Sequence, residues 1–242
     1  MMKLKLNKEI YNADGSSLSQ TRCNQIVLVF EMLEEIGAKV ISYIDIQEEA
    51  EKNKLFGSTK AKNAIRTFFP LLKKINFVKY EDSFPANKCF TELGRQFVLA
   101  CRALKNVTEQ TPNRELVAQR LSQIKQNAQK QGLIDMNKNP EFANHNIWLA
   151  LKLLKEFQPF DWSYFLYALH LKENNRSIEE IIMEIKTTTI NLKDIEYVSE
   201  KGKPLPNTCY SYIRSFLEEA DVIDSNSNLK PGANLFYSQI TI

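Results

Sequence analysis

Two segments in different halves of the chain share one pattern and align without a gap. Residues 71–78 read Leu-Leu-Lys-Lys-Ile-Asn-Phe-Val, and residues 216–223 read Phe-Leu-Glu-Glu-Ala-Asp-Val-Ile. In each, two apolar residues and a charged pair end a helical pattern, and a polar residue precedes the start of a strand. A loop and then a glycine follow both segments, at Gly94 and Gly232. The match predicts two units of the same construction, each ending in a helix and a β-hairpin.

Apolar residues at helical spacing precede both segments. In the first half we predict helices over 21–36, 45–55 and 60–75, strands at 77–80 and 88–91, and a helix over 93–104. In the second half we predict helices over 144–157, 161–172, 177–188 and 208–220, a polar connector at 191–206 and a hairpin at 222–229. A helix over 111–131 and a polar boundary at 132–140 separate the halves. Pro70 predicts a kink or a late start in the third helix.

This order of elements predicts a mainly α fold with small β-hairpins, an α+β chain. Helix, helix, helix and hairpin is the order of the winged-helix form of helix-turn-helix, so we expect tandem winged-helix subdomains. The expected divisions are an N-terminal lead-in (1–19), a first subdomain (20–106), a linking helix (107–139) and a second subdomain (140–242).

Charge is distributed unevenly along the first half. The whole chain is nearly balanced, with 32 Lys+Arg against 29 Asp+Glu, yet residues 52–80 contain eight cationic side chains and no acidic one. A segment with this excess attracts polyanions, and nucleic acid is the most common of them. We therefore predict that the chain binds double-stranded DNA.

In a winged helix the third helix usually enters the major groove, and the wing contacts the backbone. Arg66 is suited to guanine and Asn63 to adenine, whereas lysines and hydroxyls suit phosphates. The alternative is a solvated helix face on which Arg66 pairs with Glu48 or Glu49. The predicted DNA contacts are Ser58, Thr59, Lys60, Lys62, Asn63, Arg66 and Lys88 in the first subdomain, and Lys203, Asn207, Thr208, Tyr210, Ser211 and Arg214 in the second.

Other residue types provide little evidence of chemistry. The four cysteines are scattered and there are two histidines, which predicts neither a metal site nor a disulfide framework. We find no Gly-rich phosphate loop, signal peptide or long apolar run. The expectation is a cytoplasmic protein with reduced thiols, no cofactor of its own and no membrane partner.

The order of elements also resembles the DNA-recognition part of type II restriction endonucleases, especially type IIS enzymes. In the second half the resemblance covers the helix from Ile147 to Phe157, the following helices to Lys186, the connector, and residues 210–223. In the first half it lies in Phe90-Thr91-Glu92-Leu93-Gly94-Arg95, which is typical of winged helices in general. The resemblance implies sequence-specific DNA recognition beside a separate nuclease domain or subunit.

The resemblance fails at the catalytic residues. In that family, carboxylates and a lysine, commonly Pro-Asp and then Asp/Glu-x-Lys on a strand, hold the Mg²⁺ that activates water. Here Pro159-Phe160-Asp161 and Glu184-Ile185-Lys186 fall in predicted helices, so Asp161, Glu184 and Lys186 are weak candidates. We therefore expect no nuclease centre, with Mg²⁺ needed only if one is present or supplied by a partner.

Three alternatives remain open for the function. They are a tandem winged-helix transcription regulator or replication initiator, a Mg²⁺-dependent type II site-specific deoxyribonuclease, and a protein-interaction scaffold.

Overall fold

The computed structural model describes residues 2–7, 17–57, 60–142, 144–205 and 208–240, with the backbone alone at 208 and 209. The chain divides into two compact units: an amino-terminal unit, Gly15–Phe142, and a carboxy-terminal unit that combines Met1–Asp14 with Ala143–Ile242. The described residues are mainly helical with small β elements, which confirms that part of the predicted fold. None of the helices described has both the length and the apolar character needed to cross a membrane.

The helices, in chain order, are α1 (Gln20–Ile36), α2 (Tyr43–Lys52), α3 (Ala61–Lys74), α4 (Glu92–Lys105), α5 (Arg114–Asn137), α6 (Asn146–Glu156), α7 (Trp162–Glu173), α8 (Ile178–Thr187), α9 (Thr208–Glu219) and α10 (Ala233–Ser238). The strands are β1 (Met2–Leu6), β2 (Val40–Ile41), β3 (Phe84–Pro85) and β4 (Ile195–Ser199). Short 3₁₀ turns form at Ala86–Lys88, Pro140–Phe142 and Leu192–Asp194.

Local signals set the helix ends in the amino-terminal unit. Ser19 caps α1, and Gly37, at φ 70°, ends it in a conformation that few side chains tolerate. A capping box between Ser42 and Asp45 starts α2, because the Ser42 hydroxyl accepts the Asp45 N–H and the Asp45 carboxylate accepts the Ser42 N–H. The helix α3 continues through Pro70, so the predicted late start near this proline is wrong.

The core of this unit lies on the inner face of α3. Phe68, Phe69 and Leu72 are fully buried there, and the buried rings of Phe77 and Phe97 pack against each other with centroids 4.8 Å apart and planes tilted by 39°. Aromatic side chains of this size dominate the free energy gained by burial, at about 1.5–3 kcal/mol each. This core fixes which face of α3 points to solvent.

The predicted hairpin after α3 is shorter than expected. The two strands reduce to one antiparallel bridge between Val78 and Phe90, and the 3₁₀ turn Ala86–Lys88 occupies the predicted start of the second strand. The intervening segment contributes β3, which pairs antiparallel with β2 in the register Val40–Pro85 and Ile41–Phe84. The hairpin is therefore tied to the segment between α1 and α2.

The helix predicted to link the halves belongs to the amino-terminal unit. α5 packs along α4, and a Cβ added at Gly132 would lie 2.7 Å from the Ile75 carbonyl oxygen. The predicted boundary at 132–140 likewise begins inside α5. Glycine is required at this approach because any side chain would displace backbone.

The carboxy-terminal unit contains a parallel strand pair that the sequence did not predict. β1 pairs with β4 in the register Met2–Ile195 to Leu6–Ser199, so residues 2–6 form a strand instead of a lead-in segment. The predicted polar connector at 191–206 contains β4, in which Ile195, Tyr197 and Val198 are buried. Pairing between segments this distant in sequence leaves no local signal.

The two aligned segments end their helices with the same backbone hydrogen bonds. The Phe77 N–H donates to the Leu72 carbonyl at 2.7 Å, and the aligned Val222 N–H donates to the Leu217 carbonyl at 2.9 Å. Each of these residues follows one with positive φ, 58° at Asn76 and 60° at Asp221. The second hairpin also closes through a single antiparallel bridge, Ile223 to Leu229.

Candidate nucleic-acid interface

The exposed face of α3 carries the polar and cationic side chains of the basic segment. Asn63, Arg66, Thr67 and Lys73 are exposed, and they recur at the three- and four-residue spacing of one helix face. Lys60, immediately before the helix, is exposed as well. The helix therefore presents a polar face, interrupted at Pro70, opposite its phenylalanine core.

Arg66 is held in place by a buried side chain of the preceding helix. Its Nε donates to Oε1 of Gln47 at 2.9 Å, and Gln47 is only 2 % exposed. The Gln47 amide nitrogen donates to the Tyr43 carbonyl at 3.4 Å, which orients the amide. The expected alternative pairing with Glu48 or Glu49 is not what the structure shows.

The outer end of the Arg66 guanidinium has no partner among the residues that the structure describes. Within the described residues, its two terminal nitrogens make no hydrogen bond or ion pair. A guanidinium fixed through Nε keeps its other donors in the fork that matches two acceptors on a base edge or a phosphate. The arrangement can therefore present a preorganised bidentate donor to a ligand outside the protein.

Two tyrosines stack on each other next to Lys73. Tyr43 stacks on Tyr80, with centroids 4.8 Å apart and rings 13° from parallel, and Lys73 Nζ lies 4.7 Å from the Tyr80 ring centroid. Burial, with a smaller contribution from Tyr80, raises the pKa of Tyr43 to about 12, although Arg66 acts in the opposite direction. The Tyr43 hydroxyl thus stays protonated at neutral pH.

The basic segment has an acidic neighbour at the start of α3. Lys60 provides no side-chain cap, and the Glu51 carboxylate accepts the Lys62 N–H at 3.0 Å instead. This carboxylate satisfies a free donor of the first turn and offsets part of the local positive charge. Lys54 and Lys79 are exposed and, like Lys60, make no ion pair among the described residues.

The other DNA contacts predicted in the amino-terminal unit differ in their exposure. Lys62 is half-buried, and Lys88 is exposed on the 3₁₀ turn before α4. That turn is anchored because Arg95 donates to the Asn87 carbonyl and pairs with Glu34. Ser58 and Thr59 lie outside the described residues.

In the carboxy-terminal unit, two predicted DNA contacts take part in internal packing. The Tyr210 ring stacks on Trp162, with centroids 5.2 Å apart and planes at 12°. Arg214 donates to Glu218 at 2.9 Å and to the Ser225 carbonyl at 2.6 Å. The i,i+4 spacing of Arg214 and Glu218 is a sequence signal for this pair.

The remaining predicted contacts of this unit differ in exposure. Lys203 is exposed in a tight turn after β4, where its carbonyl accepts the Ser199 N–H at 2.8 Å. Ser211 is half-buried. The structure does not describe Asn207 or the side chain of Thr208.

The three weak nuclease candidates each have a separate partner. Asp161 caps α7 by accepting the Ser163 N–H at 2.8 Å, and it pairs with Lys193 at 2.9 Å. Lys186 pairs with Glu156 at 2.9 Å, and the Tyr167 hydroxyl lies 3.5 Å from Glu184. Among the described residues, no group of three or more His, Cys, Asp or Glu side chains could hold a metal ion.

Gln47 is the residue that the sequence prediction missed in this site. A polar residue in the buried stripe of α2, between Ile46 and Ala50, was the available signal, since buried amides need hydrogen-bond partners. The predicted DNA contacts also omitted two residues of the exposed face of α3. They are Thr67, one turn after Asn63, and Lys73, two turns after Arg66.

Compared with models of known protein families, with curated proteins and with solved structures, the chain matches none of them.

Proposed function

We propose that this chain is a double-stranded-DNA-binding module that reads DNA with the exposed face of α3. The observation that supports this function best is Arg66, fixed by buried Gln47 while its terminal donors point away from any described partner. A surface arginine that serves only solubility needs no such support, because a freely moving side chain is equally soluble.

The residue types on α3 correspond to distinct roles on a duplex. Arg66 provides the bidentate donor that fits O6 and N7 of guanine, and Asn63 the amide that fits adenine. Lys60 and Lys73, together with the exposed Lys54 and Lys79, provide the positive charge for backbone phosphates. Base contacts would thus come from the middle of the helix, and phosphate contacts from the two ends.

The order of elements supports a winged-helix reading of the amino-terminal unit. α1, β2, α2 and α3 are followed by a hairpin that pairs back onto β2 through β3. In such domains the third helix lies in the major groove and the hairpin contacts the backbone. Lys88, exposed on the hairpin side, would then contact a phosphate.

The more specific proposal is target recognition for a type II restriction endonuclease, with cleavage supplied by a separate nuclease domain or subunit. It rests on the resemblance in element order. The separate partners of Asp161, Glu184 and Lys186 agree with it. Mg²⁺ would then be needed by the partner for cleavage and not by this chain for binding.

Selection from a pool of random duplexes, with and without Mg²⁺, tests the proposal. We expect an enriched asymmetric site, no cleavage, and an affinity that falls about 10³–10⁵-fold between about 50 and 200 mM salt if six to ten phosphates are contacted. Reversing charge at Lys60 and Arg66 should abolish enrichment, whereas Lys105→Glu, an exposed lysine on α4, should not.

Each of the other possible results of this selection favours a different function. A palindromic site bound by a dimer would favour a regulator or initiator, and Mg²⁺-dependent cleavage by the chain alone would favour a nuclease. No enrichment together with a flat salt response would refute DNA binding and leave the scaffold alternative.

A further inference from the structure

The carboxy-terminal unit contains a cationic recess that has no part in the proposed interface. It has a volume of about 290 Å³ and lies where the start of α6, the end of α7 and the start of α8 meet. Among the described residues, its lining includes three cationic side chains from three segments, Lys152, Lys172 and Arg176, and no acidic side chain. Cations drawn together from separate elements repel one another, so such a cluster favours binding of an anion.

Of the three, Lys172 is the one whose ammonium makes two hydrogen bonds to neighbouring protein groups. Its Nζ donates to the Asn144 carbonyl at 2.8 Å and to Asn146 Oδ1 at 3.2 Å, which fixes the ammonium at the edge of the recess. An ammonium has three donors, so one remains for a ligand. Burial lowers the pKa of Lys172, which shows that the charge is incompletely solvated.

Neighbouring carboxylates offset only part of this charge. Glu180 lies 3.7 Å from Arg176, but the same carboxylate accepts the Ser177 N–H at 2.8 Å as part of the capping box of α8. The start of α8 is therefore already capped, and an anion would be bound by side chains instead of free backbone donors. Lys152 makes no ion pair within the described part of the chain.

The inner wall of the recess is apolar. Trp148, Leu149 and Ile181 line it, and each is less than a tenth exposed. Sites for small organic ligands combine such a wall with a few polar groups that fix orientation. The recess therefore suits a ligand with an anionic group at one end and a planar or apolar body.

We propose that Lys152, Lys172 and Arg176 form a binding site for the phosphate group of an organic phosphate, with the apolar body of the ligand against Trp148 and Leu149. Lysine and arginine donors match phosphate oxygens in charge and number. Two sources share this chemistry: a free mononucleotide and a phosphate of duplex DNA.

Calorimetric titration of the full chain with adenosine monophosphate, adenosine and inorganic phosphate tests the site. We expect the monophosphate to bind at about 1 mM or below, and adenosine to bind at least tenfold more weakly. Lys152→Gln should weaken monophosphate binding about tenfold or more through loss of a charge-assisted contact. The matched control, Lys155→Gln, lies on exposed α6 surface outside the recess and should bind as the wild type does.

Lys172→Met keeps the aliphatic stem and should give the same loss. Because Lys152→Gln removes a side chain with no described ion pair, it keeps the test valid if Lys172→Met does not fold.

Measuring duplex binding by the same variants distinguishes the two sources of phosphate. It also separates the effect of this site from the effect of α3. If the monophosphate does not bind but Lys152→Gln weakens duplex binding and Lys155→Gln does not, the phosphate belongs to DNA. If the monophosphate does not bind and Lys152→Gln leaves duplex binding unchanged, the proposed phosphate site is refuted, whether or not α3 binds DNA. Equal losses in Lys152→Gln and Lys155→Gln would also overturn it, since they would show a general charge effect.

Discussion

Replacing Gln47 with methionine should reduce DNA sequence discrimination without unfolding the protein. Methionine matches the length of glutamine but cannot accept the Arg66 Nε proton. Gln47 is buried and Arg66 is exposed, so water can replace the lost acceptor on Nε while the thioether fills the buried space. We expect the free energy of unfolding to change by less than about 1 kcal/mol, below the usual cost of a hydrogen bond to a charged group.

The effect on binding follows from the side-chain freedom that Arg66 regains. Immobilising a long side chain at an interface costs about 0.5–1.5 kcal/mol, and in the wild type the Gln47 contact has already restricted it. Specific binding should therefore weaken about 2- to 13-fold, whereas non-specific binding, which needs no fixed guanidinium, should not. Arg66→Lys removes the bidentate contact itself and should reduce discrimination about 5- to 150-fold.

Competition between a selected duplex and one altered at a single base pair measures this discrimination. The matched control is Gln25→Met on α1, because Gln25 also accepts from an arginine, Arg22, at 2.6 Å, and that arginine lies over Phe68 of the buried face of α3 instead of on its exposed face. Undiminished discrimination in Gln47→Met, alongside its loss in Arg66→Lys, would refute positioning by Gln47. If Arg66→Lys also discriminates normally, the base contact itself is wrongly assigned.

Two further predictions concern stability. Gly94→Ala should destabilise the chain by about 3 kcal/mol or more in denaturant titrations, because its Cβ would lie 2.0 Å from the Phe77 carbonyl oxygen. Gly232→Ala, with no neighbour within 4 Å, should stay within about 0.5 kcal/mol, and equal effects would contradict the packing argument. Burial would raise the pKa of Asp161, but the Ser163 N–H and the other bonds outweigh it, so the pKa lies below its ordinary value. The stabilising effect of the Asp161 carboxylate should be complete above about pH 4 and lost as pH falls through the lowered pKa. Asp161→Asn should therefore flatten that part of a curve of unfolding free energy against pH. A curve of unchanged slope would contradict the assignment.

Most of the helices were predictable because their signals are local. The apolar periodicity of α1, the capping box at Ser177 and Glu180, and the helix end shared by residues 71–78 and 216–223 all depend on residues a few positions apart. The same is true of the cap that Asp161 forms at the start of α7. Short-range hydrogen bonds of this kind can be inferred from residue type and spacing.

Contacts between distant residues were not predictable. β1 and β4 each show little more than a short alternation, and their pairing depends on a partner at the other end of the chain. The contact between Gln47 and Arg66 likewise depends on how α2 packs against α3. The sequence thus indicated a cationic helix and an arginine on it, but not the buried amide that orients that arginine.

The parallel pairing of β1 with β4 also sets the order in which the two units can be completed during synthesis. Met2 pairs with Ile195, so β1 must wait for a partner strand that is made after the whole of Gly15–Phe142. The amino-terminal unit, in contrast, is continuous in sequence. Closing so long a loop costs more entropy than a local contact, and a smaller loop remains to be closed once the intervening unit has folded. Residues 2–6 are therefore made before their partner strand and are among the last to reach their final hydrogen bonds.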